Sequence, residues 1–165
     1  MSVAADDRSC LQIAVLPGDG IGPEVMESAL QVLDALCLRD ARLRFRCETF
    51  AAGAGEFQRS GEALPESTLR ACRAADAVLL GAMGLPDIRW PGGRELTPQI
   101  DIREHFELYR GERPARLYHA ADCPLKGVSA GDIDFVILRE STEGLFSSRL
   151  QPGPFSPDEV ADRLL

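Results

Sequence analysis

The chain has 165 residues, a length that suits one domain of ordinary size. Hydrophobic residues make up 45% of it, which is enough for a packed core and argues against wholesale disorder. The formal net charge of −8 at pH 7 argues against nucleic acid or an anionic membrane as a partner. A small anionic ligand stays possible, because only the local field at a binding site matters for it.

The cysteines and the first residues predict a reduced, cytoplasmic protein. Asp6 and Asp7 stand where a signal peptide would be basic, and no run approaches the roughly 18 apolar residues of a membrane span. The cysteines are odd in number and form no CxxC pair, which favours free thiols over disulfides or a zinc site. They are Cys10, Cys37, Cys47, Cys72 and Cys123.

Apolar patterning predicts several short strands and helices after a flexible tail at residues 1–10. The predicted strands cover residues 11–16, 43–50, 77–80, 116–119 and 133–138. Apolar residues at helical spacing predict helices over residues 23–38, 65–74 and 100–109. Gly53, Gly55 and Gly61 predict a flexible connection, and residues 87–98 a loop that Trp90 anchors.

Strands that alternate with helices predict an α/β fold with a largely parallel sheet. Binding sites in such sheets lie beyond the carboxyl ends of strands. Glycine-rich or polar segments follow three predicted strands, at residues 18–22, 81–84 and 139–144. We therefore expect the functional residues at these positions.

The run at residues 133–138 is almost unbroken in its apolar character, as in a strand that is buried on both faces. Arg139 follows directly, and a guanidinium at the mouth of a buried strand is costly unless it holds an anion. Arg103 and Arg113 lie upstream. We interpret the three as a clamp for a small carboxylate substrate, although Arg103 and Arg113 taken alone would better suit surface ion pairs with Glu104 or Glu112.

Four segments resemble the β-decarboxylating hydroxyacid dehydrogenases, which include isocitrate, 3-isopropylmalate and tartrate dehydrogenases. They are LPGDGIGPEV at 16–25, LLGAMGLP at 79–86, REHFELYRGERP at 103–114 and DFVILRESTEG at 134–144. The resemblance covers residues 11 to 148. It implies the isopropylmalate dehydrogenase-like, non-Rossmann α/β fold, here incomplete. For complete members it implies NAD or NADP, Mg or Mn, a homodimer, and oxidation of a malate-type 2-hydroxy acid followed by decarboxylation.

The resemblance also assigns roles to individual residues. Arg103, Arg113 and Arg139 align with the family's substrate-binding arginines, and Gln99 and Ile100 with the positions that contact the variable part of the substrate. The positions implied to border the cofactor are Ile21, Gly84, Leu85, Leu96 and Thr97. A Rossmann fold is the rival, with Glu48 near the distance of a ribose-binding acid. However, residues 18–22 read GxGxG before a proline, which is not the dinucleotide fingerprint.

Two departures from the family pattern leave the activity of this chain open. Phe146 stands where the family usually has a tyrosine that takes part in proton transfer. The family also continues well past the position of Leu165, with a catalytic lysine and metal-binding aspartates in that part. We therefore expect either the amino-terminal part of an enzyme with its metal ligands outside this chain, or a non-catalytic remnant that keeps an arginine-lined carboxylate pocket or an interaction surface.

Overall fold

A computed structural model describes residues 10–142 of the chain. The chain divides into two compact units between Ile102 and Arg103. The first unit has α/β architecture, and the second contains a two-stranded antiparallel ribbon with its connecting loops.

The first unit is built on a parallel sheet with strand order β2-β1-β3. Its strands are β1 (Leu11–Leu16), β2 (Phe45–Thr49) and β3 (Ala77–Leu80). The central strand β1 pairs with both neighbours, and its last three residues are buried at 0–1% exposure. The three strands fall where the sequence predicts them, because short apolar runs between helical segments suit a parallel sheet.

Four helices accompany these strands in the chain: α1 (Gly22–Arg39), α2 (Ala54–Ser60), α3 (Glu66–Ala74) and α4 (Pro98–His105). Helix α1 has Pro23 in its first turn, where the missing N–H costs nothing, and Glu24 near its positive end. Met26 is buried, yet Val32 and Leu38 on the predicted apolar stripe are exposed. Much of that stripe is therefore uncovered within residues 10–142.

Helix α2 corrects the prediction of a flexible connection between Gly53 and Gly61. Those glycines lie at its ends, Gly53 at the N-cap and Gly61 in the left-handed conformation at the C-cap. Inside the helix, the buried carboxylate of Glu56 pairs with the exposed guanidinium of Arg59 at 2.7 Å. The glycines therefore delimit a helix of seven residues.

The second unit pairs β4 (Arg110–Arg116) with β5 (Asp134–Glu140) in an antiparallel ribbon. The strand expected at residues 116–119 instead ends at Arg116, and α4 stops at His105 where the sequence predicts helix to residue 109. Strand β5 exists as predicted, but it is not buried on both faces. Its apolar residues are about half exposed in the described chain, and Leu138 reaches 64%.

The connection from β4 to β5 is short of regular structure, as its turn-forming residues predict. It contains one 3-10 turn, Ala120–Asp122. The Nδ1 atom of His119 accepts a hydrogen bond from the N–H of Ala121, so this histidine caps the turn. Its role here is structural, and the sequence offers His119 no partner at the spacing of a catalytic triad or a metal site. None of the helices within residues 10–142 is long and apolar enough to cross a bilayer.

The exposed apolar residues of β5 predict self-association, because uncovered apolar patches and strand edges attract further chains. We expect the purified chain to elute from gel filtration above its monomer mass, and Leu138→Lys to shift elution toward the monomer. Arg110→Lys, on the same face of the ribbon, keeps its charge and should not change elution. A wild-type chain that stays monomeric at every concentration would contradict this prediction.

Candidate active site

The turns that leave β1 and β3 lie in direct backbone contact. A Cβ atom on Gly18 would overlap the carbonyl oxygen of Ala82, and one on Gly81 would overlap that of Pro17. The N–H of Asp19 donates to the carbonyl of Ala82 at 2.8 Å across this contact. Only residues without a side chain allow this approach, which brings the predicted segments 18–22 and 81–84 together.

The carboxylate of Asp19 ties these turns to helix α2. It is 7% exposed, and its Oδ2 accepts hydrogen bonds from the N–H groups of Ala54 at 2.6 Å and Gly84 at 2.9 Å. Its Oδ1 accepts one from the N–H of Gly55 at 2.8 Å. The N-cap of α2 is Gly53, which has no side chain, so Asp19 supplies the capping oxygen atoms from another segment.

The loop between β3 and α4 is held in place by two side chains. The ring of Trp90 packs edge-on against Phe57 of α2, with 4.8 Å between ring centroids, and so anchors the loop as predicted. The guanidinium of Arg89 donates to the carbonyls of Pro86 and Gly93 and pairs with Glu95 at 3.2 Å. These contacts hold the loop over the small apolar cluster that contains Ala54, Ala63 and Leu96.

An open cavity of about 250 Å³ lies between this loop and the turn after β3. Four residues of its lining were predicted to bind cofactor or substrate: Gly84, Leu85, Leu96 and Gln99. The Oε1 atom of Gln99 is buried and has no hydrogen-bond partner among the described residues. A buried acceptor without a donor is costly, but this atom is closed off from solvent, so Gln99 lines the cavity with its other atoms.

The remaining predicted positions of the first unit lie outside the lining of this cavity, as far as residues 10–142 show. Ile21 is the exposed N-cap residue of α1. Thr97 precedes α4, and its carbonyl accepts hydrogen bonds from the N–H groups of Ile100 and Asp101. Ile100 is half-buried in the first turn of α4.

Arg113 and Arg139 share one face of the β4–β5 ribbon. Arg113 lies opposite Ile137 and Gly111 opposite Arg139, so alternation places both arginines on the same side as diagonal neighbours. A Cβ atom on Gly111 would lie 3.7 Å from Nη1 of Arg113 and 3.8 Å from Cβ of Arg139. The missing side chain of Gly111 therefore leaves space beside Nη1 of Arg113 and the base of the Arg139 side chain.

The opposite face of the ribbon uses its arginines differently. Arg110 pairs with Glu112 at 2.9 Å, and Arg116 pairs with Asp134 at 3.6 Å. These ion pairs neutralise the charges on that face, whereas neighbouring like charges on one face of a strand pair are unfavourable. Arg113 and Arg139 lie on the other face of the ribbon, as diagonal neighbours beside Gly111.

Arg103 is predicted to bind substrate, and the carboxylates of Glu140 and Glu143 could bind a metal or act as bases, or form a cap or a salt bridge. Arg103 is exposed on α4. The Oε1 atom of Glu140 accepts hydrogen bonds from the N–H and the hydroxyl of Thr142, so Glu140 shapes the end of β5. Glu143 and Phe146 lie outside the described residues.

No three histidine, cysteine, aspartate or glutamate side chains within residues 10–142 converge to hold a metal ion. A complete metal site would therefore need ligands from elsewhere. Burial raises the pKa of the Cys72 thiol, and desolvation followed by the nearby Asp34 raises that of Cys47. Neither thiol has the lowered pKa of a reactive cysteine.

The sequence model of the isocitrate/isopropylmalate dehydrogenase family matches residues 12–153. The chain belongs to this family. A 3-isopropylmalate dehydrogenase from Escherichia coli K12 is 41% identical over 143 residues, which make up 81% of this chain and 38% of the relative. One from Vibrio cholerae is 43% identical over 144 residues, 82% of this chain and 39% of the relative. The chain thus spans about two fifths of the length of these relatives.

Solved structures show the same fold. An isocitrate dehydrogenase from Methylococcus capsulatus superposes with a TM-score of 0.65 at 29% identity, over 83% of this chain and 36% of that chain. A β-decarboxylating dehydrogenase from Thermococcus kodakarensis superposes with a TM-score of 0.61 at 35% identity, over 82% of this chain and 35% of that chain. The dehydrogenase fold that the motifs predict is therefore confirmed, and the rival Rossmann fold is wrong.

Asp19 is the residue of this family member that sequence reasoning missed. The prediction used the glycines on either side of it and gave the aspartate no role. The sequence did contain one signal for it, an acidic residue between two glycines directly after a buried strand. Backbone N–H groups of neighbouring segments converge at such a position, and a carboxylate can accept their hydrogen bonds. The donors themselves come from residues 54, 55 and 84, which no local pattern connects to it.

Substitutions of Gly53 and Gly61 test the contact between the Asp19 carboxylate and helix α2. Both have positive φ, of 107° and 85°, but only a Cβ atom on Gly53 would overlap Oδ2 of Asp19. We expect Gly61→Ala to lower the free energy of unfolding by about 1 kcal/mol, from backbone strain alone. Gly53→Ala should lower it by roughly 3 kcal/mol, because the φ, ψ pair of 107° and −165° suits only glycine and because the added methyl also displaces the buried carboxylate. Equal losses in denaturant unfolding would contradict the proposed role of the carboxylate.

Proposed function

We propose that this chain is the amino-terminal part of an NAD(P)- and metal-dependent oxidative decarboxylase of malate-type 2-hydroxy acids. The observation that carries the proposal is the shared face of Arg113 and Arg139 beside Gly111, in a member of the isocitrate/isopropylmalate dehydrogenase family. The names of the curated relatives, 3-isopropylmalate dehydrogenases, support this substrate class.

The arginines bind and orient the carboxylates of the substrate. A guanidinium forms two parallel hydrogen bonds with a carboxylate, which fixes both position and orientation. Arg113 and Arg139 receive one end of the malate moiety, and Arg103 is the third arginine of the clamp. Their charge offsets that of a dicarboxylate in a chain whose net charge is −8. Correct orientation of the 2-hydroxyl toward a hydride acceptor supplies much of the rate enhancement.

The cavity beside Gly84 suits the nicotinamide end of the cofactor. Leu85 and Leu96 provide apolar walls for the ring. Bound NAD or NADP supplies the hydride acceptor. We place Ile21 and Thr97 at the border of the same cofactor, on the resemblance alone.

A divalent ion, Mg or Mn, belongs to the proposed activity, but residues 10–142 do not offer it a complete set of ligands. We therefore propose ligands from outside the described residues, and a homodimer for a complete protein. The alternative is a non-catalytic chain that keeps the arginine face as a carboxylate pocket or interaction surface. Absence of metal- and NAD(P)-dependent turnover from a protein that binds dicarboxylates would favour this alternative.

The substrate specificity is proposed to depend on Gln99 and Ile100. Gln99 is proposed to recognise a polar substituent on the variable carbon, such as the second hydroxyl of tartrate, because a site with a polar side chain discriminates against a purely apolar group such as isopropyl. Ile100 packs against the carbon skeleton in this proposal.

The arginine face can be tested in a protein that is completed with the carboxy-terminal part of a relative. We expect Arg103→Ala, Arg113→Ala and Arg139→Ala each to lower kcat/KM for a malate-type acid by roughly 10- to 100-fold, since each removes charge-assisted hydrogen bonds. Arg116→Ala, on the opposite face of the same ribbon, is the control and should leave kcat/KM nearly unchanged. Unchanged kinetics for Arg139→Ala in a folded protein would refute the clamp.

The specificity prediction uses the same completed protein. We expect Gln99→Leu to raise the kcat/KM ratio for 3-isopropylmalate over tartrate by about tenfold or more, because it replaces an amide by an apolar side chain. The control Gln12→Leu makes the same change in strand β1, outside the cavity lining, and should leave the ratio unchanged. A ratio that does not change in Gln99→Leu would show that this side chain does not contact the variable part of the substrate.

A further inference from the structure

The buried carboxylate of Asp19 is bonded to the lining of the cavity and to the apolar cluster next to it. Its Oδ2 accepts the N–H of Gly84, which belongs to the cavity lining, at 2.9 Å. It also accepts the N–H of Ala54 at 2.6 Å, and Ala54 packs in one apolar cluster with the lining residue Leu96. One side chain thus connects the turn at Gly84 to the cluster on which other lining residues pack.

The turn after β3 depends on this contact for its conformation. Residues 81–86 contain no helix or strand, and Gly84 adopts φ of +109° with open space at its Cβ position. The glycine is therefore required by the backbone conformation and not by crowding. Hydrogen bonds hold this segment in the described chain. The N–H of Gly81 donates to the carbonyl of Leu16, and the N–H of Asp19 donates to the carbonyl of Ala82. The N–H of Gly84 donates to the carboxylate of Asp19.

We propose that Asp19 is a positioning residue, which fixes the backbone of Gly84 and Leu85 in the lining of the cofactor cavity. The proposal rests on the proposed function for its ligand, the nicotinamide end of the cofactor. Asp19 is not part of the cavity lining. It acts through Gly84, whose backbone then places the side chain of Leu85 over Gly20, with its Cδ2 3.7 Å from the position of a Cβ there.

Two substitutions separate this positioning role from a general contribution to stability. Asp19→Asn can keep a carbonyl oxygen at the Oδ2 position, where it still accepts from Ala54 and Gly84, but turns an NH₂ group toward the N–H of Gly55. Asp19→Ala removes all three acceptor contacts. Both variants lose stability, whereas only Asp19→Ala releases Gly84. Asp76→Ala is the matched control, because the Asp76 carboxylate also accepts a backbone N–H, that of Gln12 at 2.7 Å, next to β1.

The measurement is amide hydrogen exchange, resolved by residue with NMR on the full 165-residue chain, together with a titration with nicotinamide mononucleotide. In wild type we expect the Gly84 amide to be protected and the Leu85 and Leu96 signals to shift on titration. In Asp19→Ala, Gly84 should exchange about tenfold faster or more relative to Val15 of β1, and the mononucleotide should bind roughly tenfold more weakly. Asp19→Asn and Asp76→Ala should keep the Gly84 protection relative to Val15.

The outcomes distinguish this proposal from the function on which it rests. If neither the wild type nor any variant responds to the mononucleotide, the cofactor assignment fails. The exchange rate of the Gly84 amide still decides whether Asp19 positions the turn. Equal acceleration of Gly84 and Val15 in Asp19→Ala, or the same Gly84 change in Asp76→Ala, would reduce Asp19 to a structural residue and overturn the proposal. If Asp19→Ala does not fold, the wild type and Asp19→Asn decide. A Gly84 amide that is unprotected in the wild type overturns the proposal. A Gly84 amide that is protected in both proteins supports it.

Discussion

The close approach of two backbone turns constrains the first unit more than any other contact. The carbonyl oxygens of Pro17 and Ala82 occupy the space that side chains on Gly18, Gly22 and Gly81 would need. Because β1 and β3 are adjacent and parallel, their exits meet at the same edge of the sheet. The glycines let these exits touch, and this contact brings the turn after β3 within reach of the Asp19 carboxylate. The cavity lies beyond that turn.

Elements with a strong local signal were predictable from the sequence. Strand β1 is an apolar run before a glycine turn, and α3 begins after Pro65, a residue that suits a helix start. Strand β4 has the sequence RGERPAR, which carries no apolar alternation, and it forms because β5 pairs with it residue by residue. The burial expected for β5 failed for a different reason: an apolar run indicates that a strand is suited to being covered, but not which segment covers it.

The candidate sites were predictable to different degrees. Resemblance led to Gly84, Leu85, Leu96 and Gln99, and the structure places these four in the lining of one cavity. Which arginines share a face could not be known without the pairing register, since that follows from the partner strand. The role of Asp19 was hidden because its three donors lie 35, 36 and 65 residues away in the chain. Hydrogen bonds over such separations leave no periodic trace in a sequence.

The remote capping of α2 has a consequence for the order in which this unit folds. A helix of seven residues is too short to persist alone in water, and its own N-cap residue offers no side chain. It therefore gains a stable first turn only after residues 19 and 54 have met, which closes a loop of 35 residues. We expect α2, the Trp90 loop packed on it and the turn at Gly84 to form and to open together as one cooperative segment, later in folding than α1.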